Sequence, residues 1–175
     1  ELFAVELAEK AKIIVQDCVI ETDLEILIPE TYVNNTSERL QLYARLDNIK
    51  DEDQLKKFND ELSDRFGEIP AAVQELINSV RLRWLGEELG FEKISLKNER
   101  FRGFFVSNKD AYFNSEIFGR VLKFVQTNPR RCKIKDQGGK PMVAIENVPT
   151  VDSAIELLNQ MVGRLSRSDK EMMSK

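Results

Sequence analysis

The side chains that could carry chemistry in this chain are carboxylates and cations, because its 175 residues include no histidine. That composition removes Ser-His and Cys-His nucleophilic pairs and most zinc sites. The two cysteines, Cys18 and Cys132, lie far apart without CxxC spacing. This spacing favours two buried free thiols over a disulfide or a metal site. We therefore expect neither a metal site nor a catalytic residue of these kinds.

No phosphate-binding loop is present, so the chain lacks the motifs of an ATPase. The nearest fragment, Gly138–Pro141, lacks GxxxxGK[ST] spacing and predicts a hairpin turn instead. The 30 acidic residues fall into no recognisable acid–base pattern, and carboxylate pairs arise by chance at that number. We expect no cofactor and no enzymatic activity. A small hydrolase that uses unpaired carboxylates is the remaining enzymatic alternative.

Three carboxylates, those of Asp60, Glu61 and Asp64, crowd the last two turns of a predicted helix. They face the negative end of the helix dipole, and Asp60 repels Asp64 at i, i+4, each effect costing a few tenths of a kcal/mol. A solvated acidic face explains them without a function. A docking patch for a partner's arginines is the functional alternative. Taken alone, the residues favour the solvated face.

A basic run lies along a predicted hairpin and comprises Arg130, Arg131, Lys133, Lys135 and Lys140. Lys133 and Lys135 alternate with Cys132 and Ile134, so the two lysines share the solvent face. They either keep an exposed strand soluble or form a strip that contacts phosphates. No aromatic residue alternates with them for base stacking, which favours the first explanation. The net charge of −4 also argues against whole-domain binding to DNA or RNA.

The central element is a pair of helices over Leu55–Leu89 with a corner at Asp64–Pro70. The first helix has one apolar stripe at i, i+3, i+4 spacing, formed by Leu55, Phe58, Leu62 and Phe66. We expect positive φ at Gly67, after the first helix, and Pro70 at the start of the second. The second helix is apolar on two sides and carries Trp84 on its main stripe. The rest of the domain is therefore expected to pack around it.

Strands and further helices are predicted on both sides of this pair. The strands are Cys18–Ile28, Ile94–Lys97, Phe101–Val106, Arg131–Lys135 and Pro141–Glu146. The helices run over about 37–49, over 116–128 and after the N-cap candidate Thr150. This order predicts an α+β domain, with a mixed sheet of about five strands packed with the helical hairpin and further helices.

The chain has no apolar run of membrane-spanning length and no signal peptide. It begins at Glu1 rather than at methionine, which suggests a fragment of a longer protein. Its 175 residues are enough for one domain with a sizeable core. We therefore expect a cytoplasmic domain.

Four strings carry a family resemblance: Ile28–Val33, Glu38–Leu46, Glu61–Pro70 and Leu89–Ile94. They resemble the C-terminal (TRCF) domain of the bacterial transcription-repair coupling factors. The likeness has specific motifs from about Asp17 to Lys93 and is similar only in pattern from Leu96 onward. The resemblance implies a connecting helix from a preceding translocase module over 1–16 and a regulatory domain over 17–165. The short, polar and charged stretch 166–175 predicts a disordered tail.

The resemblance also implies a function. The full factors are ATP-driven DNA translocases that remove stalled RNA polymerase and recruit the excision-repair protein UvrA. Their motors, polymerase-binding module and UvrB-like module lie outside this chain. In the family this domain packs on the UvrB-like module and masks the surface that UvrA needs, as an autoinhibitory clamp. RNA polymerase, DNA and UvrA are then reached only through the full factor. No membrane is involved, and the isolated domain is expected to be a monomer.

Family contacts to the UvrB-like module include the two acidic residues of an E-x-x-D-R-F-G motif, which here are Glu61 and Asp64. We expect both to be exposed on one helix face and to make no interaction that the fold needs. The alternative is an accessory nucleic-acid-contacting domain that uses the cations of the hairpin, namely Arg130, Arg131, Lys133 and Lys135.

Overall fold

The computed structural model describes residues 17–106 and 110–163. The helix predicted for 1–16 and the tail predicted for 166–175 lie outside the described residues. Two compact units form: a helical unit, Glu25–Arg81, and a sheet unit, which contains the described residues 17–24, 82–106 and 110–163. Five strands and six helices are present in the described residues, which confirms the predicted α+β class.

The helical unit contains α1 (Thr36–Asn48), α2 (Glu52–Phe66) and the first part of α3 (Ala71–Leu89). α1 begins where the Asn35 side chain accepts a hydrogen bond from the Glu38 amide. Asp51 caps α2 in the same way, so both starts follow ordinary N-cap chemistry. The core of this unit is apolar and includes Leu42, Leu46, Leu55, Phe58, Leu62, Val73 and Ile77.

The corner between α2 and α3 depends on Gly67. Its φ is +90° and its ψ is −162°, which confirms the predicted positive φ. A Cβ placed there would meet nothing within 4 Å, so glycine is favoured by the backbone conformation alone. The carbonyl of Pro70 accepts the first hydrogen bond of α3, from the Gln74 amide at 3.0 Å. Glycine and proline therefore end one helix and begin the next, as expected.

The second part of α3 belongs to the sheet unit and buries Leu82, Leu85 and Leu89. Trp84, in contrast, is only half-buried. The prediction that Trp84 is a central core residue is therefore wrong. The helix turns its second apolar face, rather than the face of Trp84, toward the core of this unit.

The strands are β1 (Val19–Thr22), β2 (Phe91–Lys97), β3 (Arg100–Phe105), β4 (Cys132–Gln137) and β5 (Lys140–Ile145). They form one sheet in the order β1-β2-β3-β5-β4. β1 pairs with β2 in parallel, and all other pairs are antiparallel. The sheet is mixed and five-stranded, as predicted.

The strand predicted for Cys18–Ile28 is wrong beyond Thr22. The Thr22 hydroxyl donates to the Leu96 carbonyl at 2.7 Å and accepts from the Leu24 amide at 3.0 Å. This local turn competes with the strand ladder and ends β1. The hairpin predicted around Gly138–Pro141 is confirmed, and β2 and β3 form a second hairpin. Their two-residue turns, at 98–99 and 138–139, have positive φ at every position, as a type I′ turn requires.

Three further helices belong to the sheet unit: α4 (Asp110–Phe113), α5 (Glu116–Thr127) and α6 (Val151–Val162). The Thr150 side chain caps α6, as predicted. α4 was not predicted. Its Tyr112 is buried and donates a hydrogen bond to the Leu89 carbonyl at the end of α3. The ring of Phe118 in α5 lies 5.4 Å from that of Phe105 in β3, so helices cover the sheet face that carries Phe105.

Candidate interaction surfaces

The E-x-x-D-R-F-G motif occupies residues 61–67, at the end of α2. Arg45 in α1 binds the Glu61 carboxylate with both guanidinium nitrogens, Nη1 to Oε1 at 3.0 Å and Nη2 to Oε2 at 2.6 Å. Arg65, one turn further along α2, lies 3.6 Å from the same carboxylate. Glu61 thus stands between two cations.

The network continues through Arg65, which also forms an ion pair with Glu38 in α1. Each guanidinium lies over a ring as well, Arg45 at 5.2 Å from the Phe58 centroid and Arg65 at 4.7 Å from that of Phe66. The hydrogen bond from Arg45 lowers the pKa of the Glu61 carboxyl, and the charges of Arg45 and Arg65 lower it further. The network joins α1 to α2 on a half-exposed surface.

This differs from the unpartnered side chain that we expected, because the Glu61 carboxylate links α1 to α2 through Arg45. Glu61 and Arg45 are sixteen residues apart, so their pairing depends on how α1 and α2 pack rather than on spacing within one helix. Residue spacing along a single helix identifies only the side-chain pairs at i, i+3 and i, i+4. The basic residue in the last turn of α1, Arg45, was the one available signal.

Asp64 differs from Glu61. Its side chain is exposed on α2 and makes no ion pair or hydrogen bond with any described residue. The other members of the motif are used internally. Phe66 packs against Tyr32 with ring centroids 5.7 Å apart, and the Tyr32 hydroxyl lies 2.9 Å from the Gly67 carbonyl oxygen. The motif therefore acts mainly as a structural connection, which we call the joint, between the end of α2 and its neighbours. Among the described residues, it leaves the Asp64 carboxylate unpaired.

The basic hairpin does not present its four predicted cations equally. The Arg131 guanidinium donates to the carbonyls of Glu146 and Asn147 at 2.7 and 2.6 Å, which holds the end of β5 in place. Arg130, Lys133 and Lys135 are exposed and have no partner among the described residues. All four cations line one recess of about 100 Å³, together with Ala144 and Glu146.

The strand register adds residues that sequence analysis missed. Lys135 pairs with Met142, Met142 with Phe104, and Phe104 with Lys93. The next row joins Lys133, Ala144, Arg102 and Ser95. A third row begins with the pair Lys97 and Arg100. It continues through Glu146, which forms an ion pair with Arg100, to Arg131, whose carbonyl accepts a hydrogen bond from the Glu146 amide. On β1, Glu21 pairs with Ser95 of the second row. We call this side of the sheet the basic sheet face. Cross-strand register is not readable from one strand, so Lys93, Arg102 and Phe104 were not grouped with the hairpin.

Both cysteines are free and buried, as predicted. Burial raises the pKa of the Cys18 thiol to about 12 and that of the Cys132 thiol in the same direction. Within 17–106 and 110–163, no cluster of three or more His, Cys, Asp or Glu side chains is arranged to hold a metal ion. None of the helices in those ranges has the length and apolar character needed to cross a bilayer.

Comparison with known proteins gives consistent matches. The model of the TRCF domain family matches residues 22–115. The transcription-repair-coupling factor of Rickettsia bellii is 33% identical over 116 residues, which are 66% of this chain and 10% of that protein. The Escherichia coli K12 factor is 32% identical over 79 residues, 45% of this chain and 7% of that protein. The chain thus spans about a tenth of the length of such curated relatives.

One similar solved structure is the "Crystal structure of C-terminal domain of transcription-repair coupling factor". It superposes with a TM-score of 0.68 at 13% sequence identity, and the match covers 84% of this chain and 92% of that one. At this identity the likeness shows a shared fold.

Proposed function

The chain belongs to the TRCF domain family, and from this membership we propose that it is a non-catalytic, autoinhibitory interaction domain of an ATP-dependent DNA translocase. The translocase acts in transcription-coupled nucleotide excision repair in the cytoplasm, and its motor lies elsewhere in the same protein. RNA polymerase, DNA and UvrA are engaged by the full factor. The domain docks on the UvrB-like N-terminal module of its own protein and masks the surface that binds UvrA.

The observation that supports this proposal is the Asp64 carboxylate, which is exposed and unpartnered among the described residues. A carboxylate near the C-terminal end of a helix is disfavoured by the helix dipole. A guanidinium on a partner removes that penalty and adds a charge-assisted hydrogen bond. Asp64 is also well positioned, because Glu61, Arg65 and Phe66 on either side of it are held by contacts within the helical unit.

Glu61 and Asp64 have different tasks in this proposal. Asp64 makes the contact with the UvrB-like module. Glu61 holds Arg45 and Arg65, and through them it fixes the end of α2 that presents Asp64. Its carboxylate is 40% exposed, so it also contributes negative potential to the docking surface. Replacing Glu61 therefore changes the joint as well as the interface, whereas replacing Asp64 changes the interface alone.

The decisive experiment measures the affinity of the full-length factor for UvrA after Asp64→Ala. Loss of a charge-assisted contact that leaves its partner poorly paired costs about 2 kcal/mol. That cost corresponds to a shift of roughly thirtyfold toward the open form, and UvrA binding should rise accordingly. Asp53→Ala is the matched control, because Asp53 is also an exposed aspartate of α2 but lies in its first turn. Unchanged UvrA affinity in Asp64→Ala would remove Asp64 from the proposal.

A second measurement supplies the UvrB-like module as a separate protein and determines its Kd for this chain. Wild type and Asp53→Ala should bind alike, and Asp64→Ala should bind about thirtyfold more weakly. Absence of binding by the wild-type chain contradicts docking itself, whatever the role of Asp64.

A further inference from the structure

The basic sheet face brings together cations from three strands. Lys93 and Lys97 lie on β2, Arg100 and Arg102 on β3, Lys133 and Lys135 on β4, and Arg131 borders β4. Glu21 and Glu146 are the carboxylates in the three rows. The chain as a whole carries a charge of −4, but this face is strongly positive. Net charge therefore does not describe what the face attracts, because charge effects act locally within about one Debye length, roughly 10 Å.

Ion pairs within the face leave several cations free. Glu21 pairs with Lys93 at 3.2 Å and with Lys97 at 3.6 Å, and Glu146 pairs with Arg100 at 3.1 Å. Three cations have no partner among the described residues, namely Arg102, Lys133 and Lys135. They lie in two adjacent rows, on either side of β5. Lys133 and Lys135 are two residues apart on one strand, so they lie about 6.6 Å apart along it.

An aromatic ring lies among these cations. Phe104 is half-buried in β3, in the row that also contains Lys93 and Lys135. The Lys93 ammonium group lies 5.2 Å from the centroid of its ring. Helices cover the opposite side of the sheet, where Phe105 packs against Phe118. A half-exposed ring surrounded by cations on a sheet is the arrangement on which unpaired bases stack while basic side chains contact the phosphates.

We propose that the basic sheet face binds single-stranded nucleic acid, with Arg102, Lys133 and Lys135 on the phosphates and one base stacked on Phe104. A strand of unpaired nucleotides fits because a base in a duplex cannot reach the ring. A duplex groove is read by a protruding helix or β-ribbon, and the residues named here lie on the surface of a sheet. The aromatic ring distinguishes this ligand from an acidic peptide, which needs cations alone. The proposal does not depend on the docking of Asp64.

The experiment measures fluorescence anisotropy of a labelled single strand of about twelve nucleotides, titrated with the 175-residue chain between about 50 and 200 mM salt. Lys133→Glu with Lys135→Glu should weaken binding more than about tenfold at low salt and reduce the salt slope by about 1.4. Lys56→Glu with Lys57→Glu makes the same charge change at two exposed lysines of α2. This control should bind nearly as the wild type does.

The stacking step has its own variant. Phe104→Leu keeps an apolar side chain but removes the ring, and it should weaken the base-bearing strand about fivefold or more. It should leave binding of an abasic strand of equal length unchanged, and this comparison separates stacking from any general effect on the fold. Thermal melting of each variant identifies those that remain folded. If the charge-reversed variant does not fold, Lys133→Gln with Lys135→Gln removes the two charges without reversing them.

Three results overturn the proposal. One is the absence of salt-dependent binding by the wild-type chain. Another is an equal loss of affinity in the Lys133/Lys135 and Lys56/Lys57 variants, which shows that binding depends on the overall charge of the chain rather than on this face. The third is equal affinity for duplex DNA or for a poly-glutamate peptide, together with no effect of Phe104→Leu. That result identifies the face as a site for polyanions in general.

Discussion

At the scale of single residues, neighbouring carboxylates of one motif are held very differently. Glu61 accepts two hydrogen bonds from Arg45, whereas Asp64 has no partner among the described residues. Two carboxylates three positions apart therefore have opposite effects on the stability of the fold. The difference arises because α1 passes one side of α2 and not the other.

The two carboxylates should respond oppositely to neutralisation. Glu61→Gln removes a bidentate, half-exposed ion pair and should lower the unfolding free energy by about 0.5–1 kcal/mol. Asp64→Asn should leave it unchanged or raise it by a few tenths of a kcal/mol, because the carboxylate opposes the helix dipole and Asp60. Urea denaturation of the isolated chain measures both. A larger loss in Asp64→Asn than in Glu61→Gln contradicts this assignment.

The Glu61 effect should also depend on pH. Arg45 holds the pKa of the Glu61 carboxyl below its ordinary value of 4.5 in the folded state. The ionised form is the one that is stabilised, so its contribution is present above pH 4.5 and is lost as pH falls through the lowered pKa. The difference in stability between wild type and Glu61→Gln should therefore shrink below that pH. A difference that stays constant to low pH points to packing rather than charge.

At the scale of elements, substitution of Gly67 tests the effect of backbone conformation alone, because a side chain at this corner would contact no neighbouring atoms. Gly67→Val should lower stability by about 1 kcal/mol or more, because a β-branched residue is forced to positive φ. Gly119 is the matched position, since a Cβ there also meets nothing within 4 Å but the residue lies inside α5. Gly119→Ala should raise stability by up to about 1 kcal/mol. Melting temperatures that move in the same direction for both variants contradict the explanation.

The orientation of α3 gives a second prediction at this scale. Leu82 is fully buried and Trp84 half-buried, two positions along the same helix. Leu82→Ala should cost about 2–5 kcal/mol. Trp84→Ala should cost less than the 3–5 kcal/mol of a buried aromatic, on the order of 1–2 kcal/mol. Equilibrium unfolding of the two variants gives the ranking, and a reversed order restores Trp84 to the core.

These elements also show what sequence can and cannot predict. Caps, turns and hairpins depend on residues within a few positions of each other, so the Thr150 cap, the positive φ of Gly67 and the 138–139 turn were predictable. Trp84 was misplaced because α3 is apolar on two sides and periodicity does not say which side is covered. The Arg45–Glu61 pair and the row through Phe104 depend on helix packing and strand register. Both are set by tertiary contacts rather than by local pattern.

At the scale of the whole molecule, the sheet unit contains both thiols. Cys18 and Cys132 are each at most 2% exposed, and burial raises the pKa of both. Only the thiolate reacts rapidly with alkylating or disulfide reagents. Native chain should therefore label very slowly at pH 8, and both cysteines should become reactive together when denaturant unfolds this unit. Rapid labelling of one cysteine under native conditions contradicts the burial of that side chain.

The parallel pairing of β1 has a consequence for the order of folding. Thr22 and its hydrogen-bond partner Leu96 are 74 residues apart, whereas β2 and β3 are joined by a two-residue turn. The free-energy cost of closing a loop rises by about 0.6 kcal/mol for each doubling of its length. Bringing β1 to β2 therefore costs about 3 kcal/mol more than closing the hairpin of β2 and β3. The hairpins should form early, and β1 should join them late. Its four residues should then be the first of the sheet to exchange their amide hydrogens.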